Sequence, residues 1–169
     1  SRISSAKMLL MSPREYKENA QWLSEDKAAR KPYIADIYST YWDRCRQYFV
    51  MDFDDILYFT YMLFEKYPEV LYKYQKRFQY ILVDEYQDTN HAQYIILKQF
   101  AAMYENICVV GDDSQSIYAF RGANIQNILN FTKDYPDHKV FKLEQNYRSS
   151  SIIVEASNNI IENNHERLE

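Results

Sequence analysis

The sequence predicts an α/β protein: a small parallel sheet with helical crossovers, preceded by an all-helical segment. Three observations carry this. Only two glycines occur in 169 residues, Gly111 and Gly122, and only four prolines. Tight hairpins lean on glycine, so a many-turned β-sandwich or barrel is excluded. Tyrosine is abundant, with 17 copies, which suits long helices with large side chains between them. From Phe78 onward, short continuous apolar runs alternate with helical patterns, the order of strands joined by crossover helices.

The elements follow in order. Ser12 caps a helix with Pro13 at its first position and Glu15 completing a capping box, and the pattern fades near Lys27. Pro32 begins a longer helix whose apolar positions are Ile34, Ile37/Tyr38, Tyr41/Trp42, Cys45 and Tyr48/Phe49. Their spacing makes one face, read as a core face rather than a ligand platform. Asp52-Phe53-Asp54-Asp55 caps a helix through Tyr67, with acids at its positive end. Pro68 opens a short helix to Arg77. No Gly/Ser-rich linker appears, so a boundary falls in the helix-to-helix turn near residue 50.

Tyr80–Val83 is expected to be a strand buried on both faces, followed by a helix from His91 to Tyr104. Ile107–Val110 is a second such strand, with a helix from about Ile125 to Tyr135 after it. Val140–Leu143 is a third, after which Ser149 or Ser150 caps a helix to about Asn164. Each strand runs into a polar cluster: 84–90, 111–118 and 144–150. In open parallel sheets this carboxyl edge is where ligands bind.

Composition narrows the function. No apolar run approaches the ~20 residues of a membrane span, and the N-terminus has neither a signal-peptide core nor an initiator Met, which suggests an excised piece. Neither glycine-rich phosphate loop can be written with glycines so far apart. Cys45 and Cys108 lack metal or redox spacing and read as reduced thiols, with a disulfide as the alternative; the three histidines form no cluster. Net charge is −4 and uneven: residues 1–48 carry nine Lys and Arg against six Asp and Glu, the remainder eleven against eighteen.

Asp84-Glu85 after a buried strand is the Walker B arrangement of nucleotide hydrolases. One carboxylate suits Mg²⁺ through bound water, and its neighbour can polarise an attacking water, the strand pleat sending the two to opposite sides. Alone this pair also fits a helix cap. Its surroundings are more specific. Val83-Asp84-Glu85-Tyr86-Gln87-Asp88-Thr89-Asn90 resembles motif II of the UvrD/Rep/PcrA-type superfamily 1 DNA helicases. Val110-Gly111-Asp112-Asp113-Ser114-Gln115-Ser116-Ile117-Tyr118-Ala119-Phe120-Arg121-Gly122-Ala123 resembles their motif III, and Leu143–Ser150 their motif IV. Asp52–Leu57 is similar to the stretch that re-enters the family's core after an inserted subdomain.

The resemblance implies a partial RecA-like sheet: residues 1–50 as the helical end of inserted subdomain 1B, 51–143 as the later part of the first RecA-like domain, 144–169 leading into the second. It implies ATP and Mg²⁺ as cofactors. Asp84 would hold Mg²⁺ through water, Glu85 would act as catalytic base, and Gln115 would contact the γ-phosphate. Tyr147 would stack on adenine and Arg148 would serve as an arginine finger; a core tyrosine and a surface-paired arginine are the plainer readings. Tyr118, Phe120 and Arg121 would bind single-stranded DNA by stacking and charge. The family usually has Trp at Phe120, so a weaker grip is expected; a core position is the other reading of that residue.

The implied whole is a cytoplasmic 3′–5′ helicase of DNA repair or replication, acting on single-stranded DNA or a 3′-tailed duplex. The Walker A loop and the second motor half do not appear among the 169 residues, so the segment alone is expected to be inactive and to self-associate through open sheet edges. Two other classes stand beside this: a non-catalytic DNA- or protein-binding module with a decayed helicase core, and a metal-dependent nuclease using Asp84, Glu85 and Asp112.

Overall fold

The computed structural model describes residues 1–116, Tyr118 and 122–161. Six helices come first: α1 (Arg2–Met8), α2 (Pro13–Glu18), α3 (Ala20–Ala28), α4 (Ile34–Gln47), α5 (Phe53–Lys66) and α6 (Pro68–Arg77). Then β1 (Ile81–Val83), α7 (His91–Ala101) and β2 (Ile107–Val109) form one parallel crossover unit. Two short helices, α8 (Gln126–Leu129) and α9 (Phe131–Asp134), precede α10 (Ser151–Ile161).

The caps at Ser12 and Asp52 form as the sequence requires, each with a reciprocal bond to the acid three residues on, Glu15 and Asp55. The first predicted helix breaks in two because the Asn19 side chain accepts from the Trp22 N–H and starts α3. The helix expected over 125–135 likewise breaks at Asn130. The predicted end of the last helix, near Asn164, lies outside the described residues.

The helical front is held by an aromatic ladder. Trp22, Tyr16, Tyr38, Trp42 and Tyr58 meet edge to face in sequence, with ring centroids 5.1–6.1 Å apart. Such pairs add specificity beyond their buried area. Tyr16 and Tyr38 are fully buried with Ala6 and Ala35, and Ile34 and Trp42 pack on them, so the stripe on α4 is a core face. It is narrower than its spacing suggests, since Ile37, Tyr48 and Phe49 are exposed. A second group (Phe64, Tyr74, Phe78 and Phe100) seals α5 and α6 against α7.

Helix α1 joins the two halves by packing on α4, α5 and α7. Its Lys7 is buried and ion-paired to Asp52 at 2.6 Å and Asp55 at 2.7 Å.

Two expectations about the sheet need correction. β1 pairs with β2 in parallel register (Ile81 with Ile107, Val83 with Val109), but Leu82 and Cys108 face outward and Leu82 is 79% exposed. The strands are therefore covered on one face only, with Ile81, Val83, Ile107 and Val109 half-buried on it. The third strand, Val140–Leu143, is not formed. Its Val140, Phe141 and Leu143 are exposed and no neighbouring strand pairs with it among the described residues. β-branched residues favour extended backbone, but a strand also needs a partner ladder. Cys45 and Cys108 are not bonded to each other.

Candidate nucleotide site at the strand ends

The chain leaves β1 by a sharp turn. Glu85 takes a left-handed conformation (φ 51°, ψ 41°) and Tyr86–Asp88 form a single 3-10 turn. β1 stops at Val83, so Asp84 and Glu85 lie beyond the strand and Glu85 takes a left-handed step in place of the expected strand pleat. The Glu85 N–H donates back to Asp84 Oδ1 at 2.9 Å. Asn90 then caps α7 in a capping box with Gln93.

Both strand ends are joined by backbone and side-chain bonds. The N–H of Tyr86 donates to the Val110 carbonyl at 3.0 Å and that of Val110 to the Val83 carbonyl at 2.8 Å. Gln87, only 1% exposed, spans the gap: its Nε2 donates to Glu85 Oε2 at 2.7 Å and its Oε1 accepts from the Asp112 N–H at 3.1 Å. The Asp112 carboxylate accepts from the Ser114 N–H at 2.9 Å and from Gln115 Nε2 at 2.7 Å. Asp84, Glu85, Asp112 and Gln115 thus lie on one exposed edge, tied together by a buried amide.

Behind this edge Thr89 and Asn127 lock the next turn. The Asn127 Nδ2 donates to the Thr89 carbonyl at 2.9 Å and to its Oγ1 at 3.1 Å, all buried. Asp88 titrates above its ordinary range, from desolvation first and the nearby Glu85 charge second, and its buried Oδ1 has no hydrogen-bond partner.

Among the described residues no cluster of three carboxylate, His or Cys side chains could encage a metal ion. What the edge offers is a pair of exposed carboxylates on adjacent residues. That donor set fits Mg²⁺, which retains several waters and takes one or two carboxylates together with substrate phosphates.

The other predicted residues are placed differently. Tyr147 is 93% exposed, so the core reading of it fails. Arg148 is exposed too, its N–H bonded to Asn146 Oδ1 at 2.9 Å. Among the described residues no hydrogen bond or ion pair joins either side chain to the strand-end cluster. Tyr118 is partly exposed. Phe120 and Arg121 lie outside the described residues. Gln87 carried no assigned role in the sequence, because its importance rests on a contact 25 residues away.

A family model described as the UvrD/REP helicase N-terminal domain matches residues 1–136. The chain belongs to this family. The "ATP-dependent DNA helicase PcrA" of Bacillus subtilis (strain 168) is 48% identical over 165 residues, 98% of this chain and 22% of that protein. The protein of the same name from Staphylococcus aureus (strain Mu50 / ATCC 700699) is 54% identical over 134 residues, 79% of this chain and 18% of its own length. The chain therefore spans about a fifth of these UvrD/REP-family relatives. No helix among the described residues is long and apolar enough to cross a membrane.

Proposed function

We propose that this chain is part of the first motor domain of an ATP-dependent DNA helicase that translocates 3′–5′ on single-stranded DNA or a 3′-tailed duplex. The observation that carries this is the hydrogen-bonded edge running from Glu85 through Gln87 and Asp112 to Gln115, in a chain of the UvrD/REP family. Residues 1–50 would belong to the inserted 1B subdomain, 51–143 to the first RecA-like domain, and 144–169 would lead to the second. A cytoplasmic role in DNA repair or replication goes with this reading.

In this reading Asp84 would hold the cation through water, and the cation would supply neutralising charge for the phosphates. Glu85, one residue on at the left-handed step, accepts a proton from the attacking water. Gln115 presents its amide at the γ-phosphate. Tyr147 stacks on the adenine and Arg148 offsets developing negative charge; both need the exposed segment 144–150 to meet the edge when nucleotide binds. Tyr118, Phe120 and Arg121 grip the strand by stacking and charge, without sequence readout.

The test is made in the full-length helicase carrying this segment. Glu85→Gln should lower kcat for ATP about 10²–10⁴-fold, the usual contribution of a positioned base, with nucleotide affinity kept. An unchanged kcat overturns the assignment. The 169-residue chain alone lacks the Walker A sequence and should not hydrolyse ATP, because phosphate positioning supplies much of the catalysis. Robust hydrolysis by it, abolished by Glu85→Gln, refutes that part. Cleavage of DNA by the chain with Mn²⁺ would favour a nuclease, a role that would use Asp112 and leave Gln115 idle. A parent gene with no Walker A loop would favour a non-catalytic binding module.

A further inference from the structure

We infer that Gln87 is a positioning residue: it fixes the Glu85 carboxylate relative to the Asp112–Gln115 turn, so that the base and the γ-phosphate contact move as one unit. The inference rests on the role proposed for Glu85 and extends it to a residue buried behind the exposed edge.

The chemistry of the partners dictates the amide's orientation. A carboxylate only accepts and a main-chain N–H only donates. Nε2 must therefore face Glu85 and Oε1 must face Asp112, as observed at 2.7 and 3.1 Å. A flipped amide would lose both bonds and set oxygen against oxygen. With 1% exposure, Gln87 has no water to replace either partner.

The path continues without a break, since the Asp112 carboxylate holds Gln115 Nε2 at 2.7 Å. Glu85 and Gln115 are both exposed, and without the buried amide each would sample several rotamers. The packing also leaves the amide little freedom. A Cβ at Gly111 would lie 2.6 Å from Gln87 Oε1 and 2.9 Å from Ile128 Cδ1, so the neighbouring backbone approaches as closely as glycine allows. The two strand ends are thus bridged by one side chain that cannot shift independently of either.

The test compares Gln87→Met and Gln87→Glu in the full-length helicase, each alone and with Glu85→Gln. Met keeps the length and loses both bonds. Glu keeps the acceptor for the Asp112 N–H and loses the donor to Glu85. Both single variants should lower kcat for ATP about 10–100-fold, the scale of a displaced catalytic group, with KM within about threefold. On the Glu85→Gln background Gln87→Met should change the residual kcat less than about twofold, since residues acting as a unit are non-additive. A merely structural role would multiply through on both backgrounds, and that result overturns the inference. So does a Gln87→Met kcat within twofold of the parent. Should the Met variant not fold, the isosteric Glu variant carries the same comparison. If Glu85→Gln itself leaves kcat intact, the proposed role of Glu85 fails instead, an outcome the same data set separates.

Discussion

Replacing Lys7 by Met should destabilise the chain by about 3 kcal/mol. Among the described residues Lys7 is the only buried Lys or Arg. Its ammonium lies 2.6 Å from Asp52 Oδ2 and 2.7 Å from Asp55 Oδ1, with side-chain exposures of 1%, 33% and 3% for the three groups. The two acids do not suffer equally when the cation goes. Asp52 is reachable by water and keeps Tyr41 Oη as a donor at 2.7 Å. Asp55 keeps the Asp52 N–H on Oδ2, but its buried Oδ1 has no hydrogen bond and only Lys7 opposite it. Breaking a buried pair by removing one partner costs about 3–5 kcal/mol, and the solvated member adds little, as at surface pairs. The lower end of the range follows.

The assay is urea unfolding followed by far-ultraviolet circular dichroism near neutral pH. A second variant, Lys7→Met with Asp55→Asn, removes the stranded charge and should recover at least about 1 kcal/mol, the cost of one buried unsatisfied charged group. The pH dependence has a fixed sign. Burial of Asp52 would raise its pKa, but the bonds from Lys7 and Tyr41 outweigh this and leave it below the ordinary 3.8. A depressed carboxyl stabilises the fold above its unfolded pKa and loses that contribution as pH falls through the folded value. The part of the Lys7→Met deficit that comes from Asp52 should therefore be full above about pH 4 and shrink in stronger acid. A deficit below 1 kcal/mol at neutral pH, or one with no coupling to Asp55, would refute the reasoning.

Gly111→Ala should cost about 1–3 kcal/mol by overpacking, because its Cβ meets the doubly bonded Gln87 amide, and thermal melting measures the loss. Burial lowers the His91 pKa below 6.5, so the unfolded chain takes up the proton first; stability should decline as pH falls below about 6.5, and His91→Gln should flatten that slope in urea titrations. Phe49→Gly should stabilise by about 0.5 kcal/mol, the left-handed penalty of a side chain less the added freedom of glycine in the unfolded chain; Phe49 holds φ 54° and is 96% exposed. The chain should self-associate in concentrated solution through the uncovered face at Leu82 and Cys108; Leu82→Lys should weaken this, and a sharply monomeric sedimentation profile for the unmutated chain would contradict it.

What could be read from the sequence was local. A serine or aspartate before a helical pattern, with an acid three residues on, needs no distant partner, and the Ser12 and Asp52 caps formed where expected. Asn19 is also a local signal, but the helical patterns on either side of it run together, so the break was hidden. Strand formation depends on non-local pairing. Val140–Leu143 has the composition of a strand like Ile81–Val83, yet only the latter finds a partner ladder. The strand-end acids were legible because they follow apolar runs directly. Gln87 was not, because a buried bridge between residues 85 and 112 has no periodic trace in the chain.

The glycine shortage has a sharper meaning in the structure than scarcity of turns. Three helices end in the 6→1 and 5→2 bonding pattern that usually places glycine in the left-handed position. Here Leu10, Arg30 and Phe49 occupy it, with Met11 bonded to Ala6, Lys31 to Asp26 and Val50 to Cys45. Glu105 is left-handed as well, in the turn that follows α7. Each such side chain costs about 1 kcal/mol, which a well-packed helix end can absorb. The Gly111 case differs in kind. There the obstacle is not a torsion preference but an atom 2.6 Å away, belonging to an amide held at both ends. A torsional cost is graded and can be offset elsewhere, whereas this clash presses on the Gln87 amide that holds Glu85 and Asp112. Among the described residues the fold dispenses with glycine at five left-handed positions and keeps it at Gly111 and Gly122, where an added Cβ would lie 2.6 Å from Gln87 Oε1 and from Met8 Sδ respectively.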